Sequence, residues 1–301
     1  MTPAPPESGR RQPHRNYPRG DIMPVFRFGK HVFNLEERTR IMGILNVTPD
    51  SFSDGGKYIN PDAAAAHALD MQRRGADIID VGGQSTRPGS ARIDWQEEWE
   101  RVKPVLEILK TKLQIPVSID TFYPQVAVRA VEAGASIIND VSGSLENGMI
   151  EVAARTGAGL VIMHSGGGAD DAGSGADVIE TVRSFFAAAL DKARRRGLSE
   201  ERICLDPGIG FGKDRAGDLT LVAQLSKLLS GLPRTAVLVG ASRKRVVAAC
   251  CGGDIPVTER LAGTIAINTI AVWNGAHILR VHDVAEGVQA ARVADALRAL
   301  K

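Results

Sequence analysis

Eight short apolar stretches recur along the chain from residue 41 onward, and longer segments of mixed charged and apolar residues separate them. Each stretch is continuously apolar, rich in Ile and Val, and too short for a typical helix. This pattern predicts strands that are covered on both faces. The predicted strands span residues 41–47, 76–83, 116–121, 136–141, 159–165, 203–208, 235–242 and 277–283.

The segments between the strands predict helices. Asn60 and Pro61 form a good helix start before DAAAAHALDMQRRG, and DWQEEWERVKPVLEILKTKL carries charges on one side with Val and Leu on the other. Eight strands, each followed by a helix, over about 260 residues predict a single-domain α/β protein of the (β/α)8 TIM-barrel class. The alternative is a doubly wound open sheet, which would more usually carry a GxGxxG fingerprint after its first strand, and none is present there.

The composition fits a soluble globular protein, since 44% of the 301 residues are hydrophobic. Residues 1–20 form a Pro- and Arg-rich segment that we expect to be disordered, with a transit peptide as the alternative, and residues 21–301 form the barrel domain. The tail has a net charge of +3 and the whole chain +2, so the rest of the chain is about −1 and a nucleic-acid partner is not indicated. Cys204, Cys250 and Cys251 match no disulfide or metal-ligand spacing, and no apolar run is long enough to span a membrane. A cytoplasmic location is therefore expected.

Polar residues gather where the apolar stretches stop. They are Asn46, Asp80, Asp120, Asn139, Asp140, His164, Asp206, Ser242, Lys244, Arg280 and His282. The carboxyl ends of barrel strands share one face, which is where barrel active sites lie. Because side chains alternate along a strand, Arg280 and His282 should point the same way, whereas Asn139 and Asp140 should point in opposite directions.

The two kinds of polar residue at this face suit two parts of one ligand. Carboxylates and amides suit a heterocycle with several N–H donors. Lysine and arginine nearby suit an anion such as phosphate or pyrophosphate, to which arginine offers forked donors and lysine a compact charge. The sequence therefore predicts a ligand with a ring at one end and phosphate at the other.

Seven ordered motifs resemble those of the dihydropteroate synthase family. They are MGILNVTPDSFSDGG, GADIIDVGGQSTRPGS, VSIDT, IINDVSG, LDPGIGFGK, VGASRKR and ILRVHDV, and the resemblance runs from about residue 25 to the end of the chain. It implies a transferase of folate biosynthesis in which 6-hydroxymethyl-7,8-dihydropterin diphosphate loses pyrophosphate and the amine of p-aminobenzoate takes its place. It also implies Mg²⁺ as the cofactor and a homodimer.

The resemblance assigns roles to individual residues. The pterin contacts would be Asp120, Asn139, Met163, Asp206, Phe211 and Lys244. Pyrophosphate would be bound by Asn46, Arg280 and His282, with Asn46 also the magnesium ligand and TPDSFSDGG a flap that excludes water. The p-aminobenzoate contacts would be Thr86, Arg87, Pro88 and Ser242. The residues implied to be catalytic are Lys244, Arg280, His282, Asp120 and Asp206.

Other readings of the same residues stay open. Asp206 before Pro207 could simply start a turn, and His164 could be a core histidine with its hydrogen bonds satisfied. The run 261–273 is apolar nearly all round, which favours a homodimer contact.

Gln84 stands where the family usually has Glu, and MHSGGG replaces the usual MHMxG, so the sequence leaves inhibitor preference open. Two alternative functions are a methyltetrahydrofolate methyltransferase, which would not need SRK and RVHD, and a non-catalytic pterin-binding paralogue.

Overall fold

A computed structural model describes residues 24–48, 60–85, 92–166, 176–253 and 255–300. A hairpin of β1 (Val25–Phe28) and β2 (His31–Asn34) precedes eight strands that form a closed parallel barrel. The barrel strands are β3 (Arg40–Asn46), β4 (Ile78–Gly82), β5 (Val117–Thr121), β6 (Ile137–Asp140), β7 (Gly159–Met163), β8 (Ile203–Asp206), β9 (Ala236–Val239) and β10 (Ile278–Val281). β10 pairs with β3 to close the ring. The predicted TIM barrel is confirmed, and the open-sheet alternative is wrong.

Helices cover the outside of this barrel. They are α1 (Pro61–Arg73), α2 (Trp95–Lys112), α3 (Pro124–Glu132), α4 (Met149–Thr156), α5 (Ala176–Arg195), α6 (Arg215–Ala223), α7 (Leu225–Leu229), α8 (Arg245–Cys250), α9 (Leu261–Trp273) and α10 (Val284–Arg298). The predicted start of α1 is confirmed, because Asn60 Oδ1 accepts a hydrogen bond from Ala63 N at 3.1 Å and Pro61 opens the helix. The segment after β8 was predicted as one helix, but a break at Gln224 divides it into α6 and α7.

Side-chain alternation separates two hydrophobic layers. One face of each strand packs against the helices, as Leu45 and Ile79 do. The other face fills the barrel interior, where Met42, Ile78 and Ile137 are fully buried. Residues two positions further along each strand share the same interior face and lie at the carboxyl end of the barrel. The polar side chains at the strand ends therefore point inward, like the apolar side chains that precede them.

The hairpin closes the opposite, amino-terminal end of the barrel and was not predicted from the sequence. Phe26 and Phe28 are fully buried and belong to the same cluster as the interior side chains Met42 and Ile78. At Gly159, which begins β7, a Cβ atom would lie 2.8 Å from Phe26 Cζ and 2.8 Å from Phe28 Cβ. Glycine is therefore the residue that lets the hairpin rest directly on the barrel.

Some sequence predictions fall outside the described residues. They are the tail 1–20, the TPDSFSDGG flap after Thr48, and the predicted p-aminobenzoate contacts Thr86, Arg87 and Pro88. Within the described part of the chain, none of the helices has the length and apolarity needed to cross a bilayer.

Candidate active site

Arg280 lies at the centre of the polar cluster inside the carboxyl end of the barrel. Its Nε donates to Asp80 Oδ2 at 2.7 Å, and its Nη2 donates to Asp120 Oδ2 at 2.6 Å. Burial would lower the pKa of Arg280, but the carboxylates of Asp80 and Asp120 outweigh burial and raise it. Burial raises the pKa of Asp120, while Arg280 acts in the opposite direction. A guanidinium has five N–H donors, so these two bonds fix its position without using its full donor capacity.

Asn139 and Asp140 point in opposite directions, as the alternation predicted. Asn139 faces the barrel interior and donates from Nδ2 to Asp80 Oδ2 at 3.0 Å. Asp140 instead accepts from Ser142 N at 3.0 Å and Asn147 Nδ2 at 2.9 Å, which organises the loop after β6. Asn139 Oδ1 and Asp120 Oδ1 are buried and have no hydrogen-bond partner among the described residues. Buried acceptors of this kind suit the N–H groups of a ligand.

Asp206 ends β8 and faces the same interior. Its Oδ1 accepts from Gly208 N at 2.7 Å, so the turn that was the alternative reading of Asp206 is present. Burial raises the pKa of Asp206, and Lys244 acts in the opposite direction. The turn occupies one carboxylate oxygen and thereby fixes the orientation of the other, so the turn and a ligand-binding role are compatible.

Lys244 follows β9 and is the residue just before α8. Its Nζ donates to the carbonyl of Ile209 and lies 4.1 Å from the centre of the Phe211 ring, a cation–π contact. Burial lowers the pKa of Lys244 to about 8, against the opposing effect of Asp206. Phe211 and Lys244 therefore form one wall of the cluster, with the cation held over an aromatic face.

Ser242 and His282 meet across β9 and β10. Ser242 Oγ lies 3.0 Å from His282 Nδ1 and accepts from His282 N at 3.2 Å. The neighbouring Arg243 turns away to pair with Asp283 and has a positive φ of 56°. With this left-handed backbone, the side chains of Arg243 and Lys244 point in different directions. Arg243 makes a structural ion pair, whereas Lys244 faces the site.

The remaining predicted site residues have different outcomes. Asn46 ends β3 at the mouth and is half-buried, and Met163 ends β7 on the interior side opposite Asp206 in the strand register. Thr86, Arg87 and Pro88 lie outside the described residues. A hydrogen bond joins the two sides of that segment, because Gln84 Oε1 accepts from Ile93 N at 2.7 Å, and Tyr123 Oη donates to Ile93 O at 2.6 Å.

Asp80 and Lys213 belong to the site although sequence reasoning gave them no role. Asp80 was recognised as a strand-end carboxylate but not as the acceptor shared by Arg280 and Asn139. Lys213 lies within the motif LDPGIGFGK, where its Nζ donates to the carbonyls of His164, Gly208 and Phe211 at 3.0, 3.1 and 2.9 Å. It ties the loops after β7 and β8 together. The position of Lys213 in a glycine-rich motif was the available signal.

His164 is buried, but the reading of a core histidine with its hydrogen bonds satisfied is not confirmed, because its buried Nδ1 has no hydrogen-bond partner among the described residues. It is 8% exposed, and its ring meets Phe185 edge-on at 5.1 Å. Burial, with a smaller contribution from Lys213, lowers the pKa of His164 to about 4, so the imidazole is neutral at physiological pH.

Comparisons with known proteins agree with this geometry. Residues 42–282 match the family described as pterin binding enzyme. The dihydropteroate synthase of a Synechocystis strain is 43% identical over 91% of this chain and 95% of its own length. A Xanthomonas albilineans dihydropteroate synthase solved with 4-aminobenzoic acid is 40% identical, has a TM-score of 0.84, and covers 93% of this chain and 100% of its own. The same species' enzyme in complex with 7,8-dihydropteroate is 38% identical, with a TM-score of 0.79 and coverage of 90% and 98%.

The barrel, the ordered motifs and the relatives all lead to one conclusion. The fold places carboxylates, an amide and cations together at the catalytic end of a TIM barrel, and relatives of about 40% identity over most of the chain carry the same activity name. The chain belongs to the dihydropteroate synthase family of pterin-binding transferases.

Proposed function

We propose that the cluster at the barrel mouth joins 6-hydroxymethyl-7,8-dihydropterin diphosphate to p-aminobenzoate, giving 7,8-dihydropteroate and pyrophosphate. The observation that carries the proposal is the convergence of buried acceptors on Asp120, Asn139 and Asp206 with the cations of Lys244 and Arg280. Asp206 would accept hydrogen bonds from the edge of the pterin ring, and the Asn139 amide would accept from that edge and donate to it. Met163 and Phe211 would contact the faces of the ring.

Pyrophosphate lies on the other side of this proposed site. Arg280 is held in place by Asp80 and Asp120, and a guanidinium so oriented can present its further N–H donors to an anion. His282 and Asn46 stand at neighbouring strand ends, because β10 pairs with β3. These three residues would bind the leaving group at one edge of the mouth.

The chemistry requires charge placement more than a protein nucleophile. The bond between the pterin methylene carbon and the diphosphate oxygen breaks, and the electron pair leaves with pyrophosphate. A carbon–nitrogen bond then forms with the amine of p-aminobenzoate, which loses a proton. Fixed cations at the leaving group and fixed acceptors at the electron-poor ring lower the barrier, because neither has to reorganise during the step.

Magnesium belongs to this proposal as well. The described residues contain no cluster of three or more His, Cys, Asp or Glu side chains able to hold a metal ion. Mg²⁺ retains several waters and is usually bound through one or two carboxylates together with substrate phosphates. Here the amide oxygen of Asn46 would be the protein ligand, and the diphosphate would supply the charged oxygens. When bound, Mg²⁺ would neutralise charge on the diphosphate.

The p-aminobenzoate side would comprise Ser242 with Thr86, Arg87 and Pro88. Ser242 is already fixed by His282, and Gln84 and Tyr123 hold Ile93 at the far end of the loop. Gln84 stands where the family usually has Glu, and its neutral amide oxygen accepts the hydrogen bond from Ile93 N. The hydrogen bond that anchors this loop is therefore present with Gln at this position.

Two further parts of the proposal concern the whole protein. A homodimer is supported by apolar side chains exposed on neighbouring helices, where Ile270 and Trp273 of α9 are 47% and 38% exposed and Val293 of α10 is 58% exposed. A cytoplasmic location is supported by Cys204, Cys250 and Cys251, none of which forms a disulfide.

The test is pyrophosphate release from the dihydropterin diphosphate with Mg²⁺, with and without p-aminobenzoate, followed by mass detection of dihydropteroate. Lys244→Ala and Asp206→Asn should each lower turnover by about 100-fold or more, since each removes a fixed charge from the reacting centre. Arg280→Ala should chiefly weaken the binding of the pyrophosphate group. Asp191→Asn, at an exposed position on α5, is the matched control and should have wild-type activity.

Each other outcome has a definite meaning. Ligand binding without product would identify a non-catalytic paralogue, and no binding would favour the methyltransferase alternative. Near-wild-type turnover of Asp206→Asn would contradict its assignment as the pterin anchor.

A further inference from the structure

Glu98 is a buried carboxyl group next to the site that no proposed role uses. It lies in the first turn of α2 and is fully buried. Neither of its carboxyl oxygens has a hydrogen bond of good geometry among the described residues. Arg101, one turn further along the same helix, bonds instead to Glu97 Oε1 at 2.6 Å and to the carbonyl of Gly83 at 3.1 Å. Glu98 therefore lacks a cation of its own.

Glu98 is packed directly behind the strand ends that carry the site. A Cβ atom on Gly83 would lie 3.0 Å from Glu98 Cγ, so the chain leaving β4 rests on this side chain. The preceding residue, Gly82, is opposite Asp120 in the register of β4 and β5. Thr121, the next residue of β5, has a hydroxyl group close to Glu98, and this hydroxyl lowers the pKa of the Glu98 carboxyl. Glu98 thus adjoins both strands that supply carboxylates to Arg280.

The charges around Glu98 favour its neutral form. The charged groups that act on it are Asp120 of β5, which repels its negative charge, and Arg101 of its own helix, which attracts it. Burial raises the pKa of Glu98 to about 8, and Asp120 adds to this, while Thr121 and Arg101 act in the opposite direction. An ionised carboxylate buried without a paired cation is costly, whereas a neutral carboxylic acid can donate a hydrogen bond.

We propose that Glu98 is a positioning residue for the synthase reaction, acting as a neutral carboxylic acid behind the ends of β4 and β5. In this form it supports Asp120 in its bond to Arg280 through the adjoining backbone and Thr121. Loss of its proton places an uncompensated negative charge behind Asp120 and disturbs the carboxylate pair that orients Arg280. The inference rests on the proposed roles of Asp120 and Arg280.

The test compares wild-type enzyme with Glu98→Gln, which keeps the shape and the neutral state but cannot ionise. At pH 7 the variant should retain kcat/KM for the pterin substrate within about twofold of wild type. From pH 7 to pH 9 the ratio of variant to wild-type kcat/KM should rise at least about threefold, because only the wild type ionises at this position. Lys244 and Lys213 are present in both enzymes, so the effect of their titration on kcat/KM cancels in this ratio. Glu100→Gln, at an exposed position on the same helix, should give a ratio that does not change with pH.

Thermal stability gives a second readout that does not depend on turnover. The folded-state pKa of Glu98 lies above its unfolded value of 4.5, so the folded protein binds this proton more tightly. Wild type therefore loses stability relative to Glu98→Gln as pH rises from about 4.5 to about 8, and the difference is constant above that. The Tm advantage of the variant should grow by on the order of 10 °C across this window.

The two readouts separate failure of this inference from failure of the proposed function. An inactive wild type with the expected Tm trend would leave the neutral Glu98 intact and overturn the reaction instead. A ratio and a Tm difference that do not change with pH would overturn the inference. So would a Glu98→Gln variant that is insoluble or has lost more than about tenfold in kcat/KM at pH 7, since glutamine mimics the neutral acid.

Discussion

Lys244 is a titrating cation of the proposed site, and its charge gives a pH prediction. Burial lowers its pKa to about 8, so it loses its proton as pH rises through that value and kcat/KM should fall by about tenfold per pH unit above it. Lys244→Arg should be less active at pH 7, because guanidinium cannot take the compact position over Phe211. Above pH 8 it should lose the tenfold decline per pH unit and keep only the smaller decline that the ionisation of Glu98 causes. The measurement is kcat/KM from pH 6 to pH 10.

The matched control for this pH prediction is Lys213→Arg. Burial also lowers the pKa of Lys213 to about 8, but its Nζ bonds to three backbone carbonyls and not to the proposed ligand space. Lys213→Arg should therefore retain the steep decline. A decline of about tenfold per unit that survives in Lys244→Arg would assign it to another group.

At the residue level, the sequence was sufficient to predict which side chains stand at the strand ends but not how they pair. Asp120, Asn139 and Asp206 follow from apolar stretches that stop at a polar residue. The contact between Asp80 and Arg280 joins residues 200 positions apart, and it depends on the closure and curvature of the barrel. Glu98 was missed because it lies in a run of charged helix residues that resembles a solvated face.

The β1–β2 hairpin is the element whose contribution to stability is easiest to isolate. Phe26→Ala should reduce the free energy of unfolding by about 3–5 kcal/mol, since it removes a fully buried aromatic ring from the barrel floor. Because the hairpin lies at the end of the barrel away from the site, KM for the pterin substrate should change by less than about twofold. Urea unfolding and steady-state kinetics measure the two effects.

Val32→Ala is the control for this hairpin substitution, because Val32 is 49% exposed on β2. It should change the unfolding free energy by less than about 0.5 kcal/mol. Equal losses in the two variants, or a large change in KM for Phe26→Ala, would contradict the view of the hairpin as a plug for the amino-terminal end.

Elements with a long, repeated signal were predictable, whereas short or interrupted ones were not. The eight barrel strands each carry an apolar run, and the structure places them within a few residues of the predicted bounds. The hairpin strands read VFRF and HVFN, so neither has the continuous Ile- and Val-rich pattern that identified the barrel strands. The helix α8 has six residues and directly follows the SRK motif, so its signal merged with that motif.

At the scale of the whole molecule, most of the exposed large apolar side chains among the described residues lie on α9 and α10. α9 buries Ile267, Ala271 and Val272 against the barrel and its neighbours, while Ile270 and Trp273 of the same helix remain exposed. α10 packs beside α9, and its Val293 and Leu297 are 58% and 48% exposed. Apolar side chains grouped on adjacent helices are typical of a protein–protein contact. A second copy of the chain, related by a twofold axis, would cover them.

Ile270→Asp tests whether this surface joins two copies. A charge placed in the centre of a buried apolar contact is costly, so the variant should sediment as a monomer at concentrations where wild type sediments as a dimer. Its Tm should fall because the dimer no longer stabilises the fold. Val32→Asp places the same charge on an exposed apolar position of the hairpin and should leave the sedimentation coefficient unchanged. A wild type that is monomeric at micromolar concentration would remove the dimer from the proposal, and a dimer that survives Ile270→Asp would move the contact to another face.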